Sequence, residues 1–166
     1  MEGVICFLGI GSNLGERRAN CIEAMERLAR TEGVSATRHS SLYRTEPVGG
    51  ADQPWFVNAV AEIRTWLDPE DLLMKLQAIE KEMGRREKAT GGPRTVDIDI
   101  LLYGQAVIHG VDLMIPHREL HRRRFVLVPL NEIAPWAVHP LFGISARGLM
   151  DRLGEGGLVE KIGESS

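Results

Sequence analysis

Asp97 and Asp99 stand two positions apart in the run Val96-Asp97-Ile98-Asp99-Ile100-Leu101-Leu102, just after the structure breaker Gly92-Pro93-Arg94. On a strand the side chains alternate between faces, so the two carboxylates share one face while Ile98, Ile100 and Leu102 are expected on the other. Carboxylates held side by side repel one another, and on a largely apolar strand they are costly unless a cation or a proton sits between them. A hard dication answers this, and magnesium suits better than calcium because two carboxylates leave positions for phosphate oxygens and water. Arg85, Arg86, Lys88 and Arg94 bracket a loop containing Gly91 and Gly92. Alone that loop reads as a solvated charge run; beside two acids it becomes a lid that brings guanidinium groups onto a polyphosphate. The spacing therefore predicts a magnesium–phosphate site on a sheet edge or strand end.

Other residue groupings bear on the same chemistry. Phe56 and Asn58 fall on one face of a strand, near Thr45 and Val48. An aromatic ring with an amide is what a planar heterocycle requires, for stacking and for paired hydrogen bonds. His117 and His121 have helical i, i+4 spacing, but the intervening Glu119 is misplaced for a zinc-protease motif. With Arg122, Arg123 and Arg124 beside them, a second phosphate-contacting patch is the better reading. The Gly9-Ile10-Gly11-Ser12-Asn13-Leu14-Gly15 turn resembles a dinucleotide-binding loop, yet its spacing is one residue too long and the following strands are expected to pair antiparallel. No Gly-Lys-Ser/Thr triplet is present, which removes a P-loop.

The elements that must position these groups are legible in outline. Val4 to Ile10 reads as a central strand, Gly11 to Gly15 as a turn, and Ile22, Met25, Leu28 and Ala29 as the buried stripe of a first helix. Val34 to Thr45 and Phe56 to Thr65 read as two strands whose link is too short for a crossover, so they pair antiparallel. Asp68-Pro69 opens a second helix with Leu72, Leu76, Ile79 and Met83 as its apolar stripe and Gly84 as its stop. The order strand, helix, strand, strand, helix, strand predicts an α+β fold with a ferredoxin-like split βαβ core, a mainly antiparallel sheet and a C-terminal extension. The extension is expected to hold a hairpin near Val107 and helical character around Leu149, with Gly154 to Ser166 a loosely held end.

Composition bounds what remains. A chain of 166 residues with 43% hydrophobic residues is expected to form one domain with a real core. A net charge of −3 and few aromatics argue against a nucleic-acid coat. The two cysteines, Cys6 and Cys21, suit buried free thiols. No apolar run approaches a membrane span and no signal peptide is evident, so a cytoplasmic protein without a membrane partner is expected.

Across roughly residues 5 to 140 the chain resembles the 6-hydroxymethyl-7,8-dihydropterin pyrophosphokinase family of folate synthesis. The resemblance rests on Gly11-Ser12-Asn13-Leu14-Gly15, Ser41-Leu42-Tyr43-Arg44-Thr45, Gln53-Pro54-Trp55-Phe56-Val57-Asn58-Ala59, the Gly92 to Leu101 segment, Ile115-Pro116-His117 and Phe125-Val126-Leu127-Val128-Pro129-Leu130. It implies pyrophosphoryl transfer from ATP to the pterin's hydroxymethyl oxygen, with AMP released and two Mg2+ ions held by Asp97 and Asp99. It further implies that Gln77, Glu80, Arg94, Ile100, His117 and Arg123 bind ATP, and that Arg85 and Arg94 are the catalytic arginines of a mobile loop. Thr45, Val48, Phe56, Asn58 and Phe125 match pterin-binding positions, the two phenylalanines as an aromatic sandwich. Small molecules are the only partners expected, and a monomer is expected. The chain departs from the family at Thr90 and Gly91, where a basic and an aromatic residue are usual, and at Phe56, where tyrosine is common. Asp112, Met114 and Arg118 also differ from residues some members place on the nucleotide. The rival readings are a transferase with another acceptor and a non-catalytic RNA-binding module on the same fold.

Overall fold

The computed structural model describes residues 2–46, 54–84, 95–154 and 156–163. Strand β1 (Val4–Ser12) is longer than its apolar run, because Gly11 and Ser12 remain in the ladder where a turn was expected. Gly11 is paired on both sides, with Asn58 and with Asp97, and those neighbours hold the glycine extended. Helix α1 (Arg17–Ala29) buries Cys21, Ala24 and Leu28; Ile22, placed in the expected stripe, is 48% exposed. Small side chains at 21 and 24 let the helix sit close to the sheet, near enough for the Cys21 thiol to donate to the Val57 carbonyl at 3.5 Å.

The single strand expected from Val34 to Thr45 is two, β2 (Val34–His39) and β3 (Tyr43–Thr45). The Ser40 hydroxyl accepts from the Val60 N–H at 2.9 Å and so replaces a ladder bond at the break. Strand β4 (Phe56–Thr65) has its expected bounds. Helix α2 (Pro69–Glu82) is capped by Asp68, whose carboxylate accepts from the Asp71 N–H at 2.9 Å. That helix buries Leu72, Leu76 and Ile79, and Gly84, at φ +94°, stops it. Strand β5 (Asp97–Tyr103) completes the sheet core. β4 lies antiparallel to β1, β2 and β3, and β5 antiparallel to β1, so β1 and β2 are parallel with β4 between them. This is the split βαβ arrangement.

Beyond the core come the hairpin of β6 (Ile108–His109) and β7 (Met114–Ile115), a 3-10 turn at Leu120–Arg122, and helix α3 (Arg124–Ile133), which the sequence reading left unassigned. A short hairpin of β8 (Val138–His139) and β9 (Ile144–Ser145), then helix α4 (Ala146–Arg152), follow. The segment expected to hang loose contains β10 (Val159–Lys161), which pairs antiparallel with β3 and extends the sheet.

Helices α1 and α2 cover one face of the sheet over Cys6, Leu8, Ile10, Ala61, Ile63, Ile98 and Ile100. On the other face Phe7, Val60, Leu101 and Leu102 pack with Leu127 and Leu130 of α3 and Leu149 of α4. Leu102 was expected beside Ile98 and Ile100. A bulge reverses it: Phe7 faces Leu102 and Leu8 faces Ile100, so Leu101 is the extra residue and the alternation resets after it. Both cysteines are free and buried, and burial pushes each thiol up to about 12. No helix among the described residues is long and apolar enough to cross a membrane.

Candidate active site

The second sheet face is only part covered, and its open end carries the chemistry. Three registers define it. Tyr43, Asn58, Gly11 and Asp97 form one row across β3, β4, β1 and β5. Val60, Gly9 and Asp99 form the next, and Thr45 faces Phe56 at the rim. Asp97 and Asp99 thus share a face, as their spacing predicts, with Ile98 buried on the opposite one at 3% exposure.

The middle strand contributes no side chains here. Gly9 and Gly11 leave a trough between the acids on β5 and Phe56 and Asn58 on β4, two strand spacings or roughly 10 Å across. Its floor is glycine backbone, approached by the Asn58 amide at Gly11 and by the Leu101 side chain at Gly9. A Cβ on Gly11 would lie 2.6 Å from the Asn58 Oδ1, and one on Gly9 would touch Leu101 at 3.4 Å. The sequence reading missed both residues as site components, since a glycine in a strand signals close approach only when its neighbours are known.

Asn58 is held in one orientation. Its Nδ2 donates to the Thr45 hydroxyl at 2.7 Å, both residues being buried, which turns Oδ1 over Gly11 and into the trough. A fixed amide acceptor beside an aromatic ring matches the edge of a planar heterocycle carrying N–H groups.

His117 closes the acid side. Its backbone N–H donates to the Leu101 carbonyl at 2.9 Å, and its Nδ1 accepts from the Glu119 N–H at 3.1 Å. The neutral ring therefore carries its proton on Nε2, which lies 3.9 Å from the Asp99 carboxylate. Burial pushes this histidine below its usual range; Asp99 opposes that shift, Arg123 adds to it and Glu119 opposes it. Arg123 stands at the N-cap position of α3, and its guanidinium lies 5.5 Å over the Phe125 ring. Asp99, His117, Arg123 and Phe125 thus succeed one another along the mouth of the trough. His121, its expected companion, packs elsewhere, edge-on to His139 and Phe142. The 3-10 turn separates the two histidines where a helix would have aligned them.

Glu80 is 6% exposed, and its Oε2 accepts from the Ile98 N–H at 2.8 Å. Ile98 lies between the two acids on the outer edge of the sheet, so α2 fixes the backbone that carries them. Gln77 is exposed one turn away on α2, and Ile100 is 5% exposed within the core. Val48, Arg85 and Arg94 lie outside the described residues, as does the rest of the basic loop.

The donor set at the acids suits magnesium. Asp97 and Asp99 offer oxygen ligands only, and the described residues contain no group of three or more His, Cys, Asp or Glu placed to enclose a metal. An incomplete oxygen site leaves room for water and substrate phosphates, which is how magnesium is commonly held.

Residues 7–135 match the family described as 7,8-dihydro-6-hydroxymethylpterin-pyrophosphokinase. The chain belongs to this pyrophosphokinase family. A 2-amino-4-hydroxy-6-hydroxymethyldihydropteridine pyrophosphokinase of Methylorubrum extorquens is 42% identical over 156 residues, 94% of this chain and 97% of that protein. The folic acid synthesis protein fol1 of Pneumocystis carinii is 40% identical over 147 residues, 89% of this chain, which spans only 20% of that longer protein. A solved HPPK-DHPS of Plasmodium falciparum with pteroate superposes at a TM-score of 0.73 over 92% of this chain and 43% of that one, at 16% identity, and so shares the fold. The trough, the acids and the Arg123–Phe125 pair all fall within the residues that match the family. An RNA-binding module is not favoured, because the face such modules expose here bears two acids and is partly roofed by α3.

Proposed function

We propose that this chain transfers the terminal pyrophosphoryl group of ATP to the hydroxymethyl oxygen of 6-hydroxymethyl-7,8-dihydropterin, as a cytoplasmic monomer. The observation that carries the proposal is the row Asn58–Gly11–Asp97, which sets a slot for a planar ring directly beside an acid pair. In the reaction an oxygen–phosphorus bond forms at the β-phosphorus and the bond to the α-phosphate oxygen breaks. AMP departs, and the hydroxymethyl proton is lost.

Each side chain has a task in this scheme. Phe56 and Phe125 sandwich the pterin ring, with the Asn58 Oδ1 accepting from its N–H edge while Thr45 and Val48 contribute backbone contacts. The exocyclic hydroxymethyl group then projects over Gly11 toward β5. Asp97 and Asp99 would hold magnesium, two ions in this reading, which when bound neutralises phosphate charge and aligns the in-line displacement. His117, neutral with its proton on Nε2, and Arg123 donate to phosphate oxygens at the mouth. Gln77, Glu80 and Ile100 are the further nucleotide positions of this reading, Ile100 through main chain because its side chain is in the core and Glu80 through the strand backbone it holds, and Arg85 and Arg94 are its catalytic arginines. Gly11 leaves the space in which the Asn58 Oδ1 can turn toward the ring, and Gly9 the space for Leu101 beneath it.

Protein mixed with ATP, magnesium and the hydroxymethyl pterin should release AMP and the pterin diphosphate in equal amounts, read by ion-exchange chromatography. ADP in place of AMP would indicate single phosphoryl transfer. AMP formed at one rate with and without pterin would indicate another acceptor.

A further inference from the structure

Strand β3 and helix α3 are joined by one carboxylate. Glu132, in the last turn of α3, accepts from the Ser41 N–H at 3.0 and 3.1 Å, from the Ser41 hydroxyl at 2.8 Å and from the Tyr43 hydroxyl at 2.6 Å. The Ser41 N–H lies in the break between β2 and β3, so the helix supplies the partner that the ladder lacks there. Lys161 of β10, opposite Tyr43 in the ladder, adds favourable charge to the Glu132 carboxylate.

What this carboxylate joins are the strand beside the Asn58 wall and the helix that brings Phe125 to the mouth of the trough; in the proposed reading these two grip the ring from opposite sides. Tyr43 is 6% exposed and heads the row Tyr43–Asn58–Gly11–Asp97, while Thr45, two residues on, fixes the Asn58 amide. At the other end Phe125 lies seven residues before Glu132, about two turns or roughly 10 Å along the same helix face. Pro129 sits between them on that stripe, and its missing N–H leaves the Phe125 carbonyl without its usual helical partner. The helix is therefore weakest between the ring it presents and the carboxylate that anchors it.

We propose that Glu132, acting through Tyr43 and Ser41, is a positioning residue that sets the separation of the Phe125 wall from the Asn58 wall and thereby the affinity for the pterin. The proposal rests on the functional reading above, in which those walls grip the ring. It assigns Glu132 no contact with substrate. Loosening the anchor should weaken pterin binding more than nucleotide binding, since Asp97, Asp99 and His117 are held by β1, α2 and the Leu101 carbonyl and Arg123 is the one nucleotide contact of that reading, among the described residues, that rides on α3.

Steady-state kinetics and calorimetric pterin binding on Glu132→Ala, Glu132→Gln and Tyr43→Phe test it. Glu132→Ala should raise the pterin KM and Kd about five-fold, with the ATP KM and kcat each within about two-fold. Tyr43→Phe should cost about three-fold. Glu132→Gln, which keeps an acceptor for Tyr43, should lie between wild type and Glu132→Ala. Tyr43→Phe combined with Glu132→Ala should be no worse than Glu132→Ala alone, as expected for one shared interaction. The proposal is overturned if the variants lose thermal stability while the pterin KM stays within two-fold of wild type, or if the pterin and ATP KM values rise together. Should Glu132→Ala not fold, the other two variants decide the matter. Wild-type protein that binds no pterin overturns the functional reading itself, a result distinct from either of these.

Discussion

The two faces of the sheet are built from the same strands and do opposite work. Under α1 and α2, alternate residues of β1, β4 and β5 give Leu8, Ile10, Ala59, Ala61, Ile63, Ile98 and Ile100, all nearly sealed from solvent. One residue over, the same strands give Gly9, Gly11, Phe56, Asn58, Asp97 and Asp99, in a region that α3 covers only in part. The period-2 rule of the strand thus sorts stability from chemistry at the spacing of single residues. The site can carry repulsive acids and side-chain-free backbone because the opposite face supplies the burial that keeps those strands paired.

The sharpest way to break this contrast is at the acids. Asp97→Ala or Asp99→Ala should lower kcat by roughly 10²–10³-fold or more, because an electrostatic contact to the transferring group is lost. Thermal denaturation should show unchanged or slightly raised stability, since removing one carboxylate relieves repulsion with the other. Retention of wild-type turnover by both variants would show that the acids are not the reaction's ligands. On the opposite face, Leu8→Ala removes a fully buried side chain. It should cost about 2–5 kcal/mol by urea denaturation, with kcat preserved wherever the protein remains folded. A fall in kcat in folded Leu8→Ala protein would mean the faces are coupled more tightly than their chemistry suggests.

Smaller perturbations sharpen the division. Gly11→Ala places a Cβ 2.6 Å from the Asn58 Oδ1 and should raise the pterin KM about ten-fold at little cost to the ATP KM. Equal effects on both substrates would place the ring elsewhere. The slightest effect expected is at His139, far from the acids. It is 3% exposed, its Nδ1 accepts from the Leu141 and Phe142 N–H groups, and its ring stacks on Phe142 at 4.2 Å. Burial, with a smaller contribution from His121, lowers its pKa below the ordinary 6.5. Below that pH the unfolded chain binds a proton that the folded chain refuses, so stability is full above 6.5 and declines as pH falls toward the folded value. His139→Gln should flatten that decline in pH-dependent melting curves. An identical pH slope in wild type and variant would remove the histidine from the account.

Much of this was readable from residue order, and the failures share a cause. The acid pair, the Asp68 cap, the bounds of β4 and the split βαβ order all follow from local rules that neighbours did not override. The turn expected at Gly11 failed because a glycine's conformation is set by what pairs with it, and two strands pair with this one. Leu102 went to the wrong face because a bulge resets the alternation, and nothing in five consecutive apolar or acidic residues marks where the extra residue falls. Helix α3 was hidden by Pro129, and β10 by a glycine-rich tail whose partner lies over a hundred residues earlier in the chain. His117 illustrates the same limit at the site: its spacing to His121 suggested a pair, whereas the fold gives it to Asp99.

The two glycines in the floor of the trough also bear on how this pocket can change over generations. Glycine is the smallest residue, so every substitution at positions 9 and 11 adds atoms and none removes them. The depth of the pocket is therefore already at its limit, and mutation there can only narrow the range of molecules admitted. Any lineage acquiring a bulkier acceptor has to trim Phe56, Phe125 or Leu101 instead. If the pterin binds there as proposed, an inhibitor that presses on the floor would be met by few escape routes that leave the substrate room.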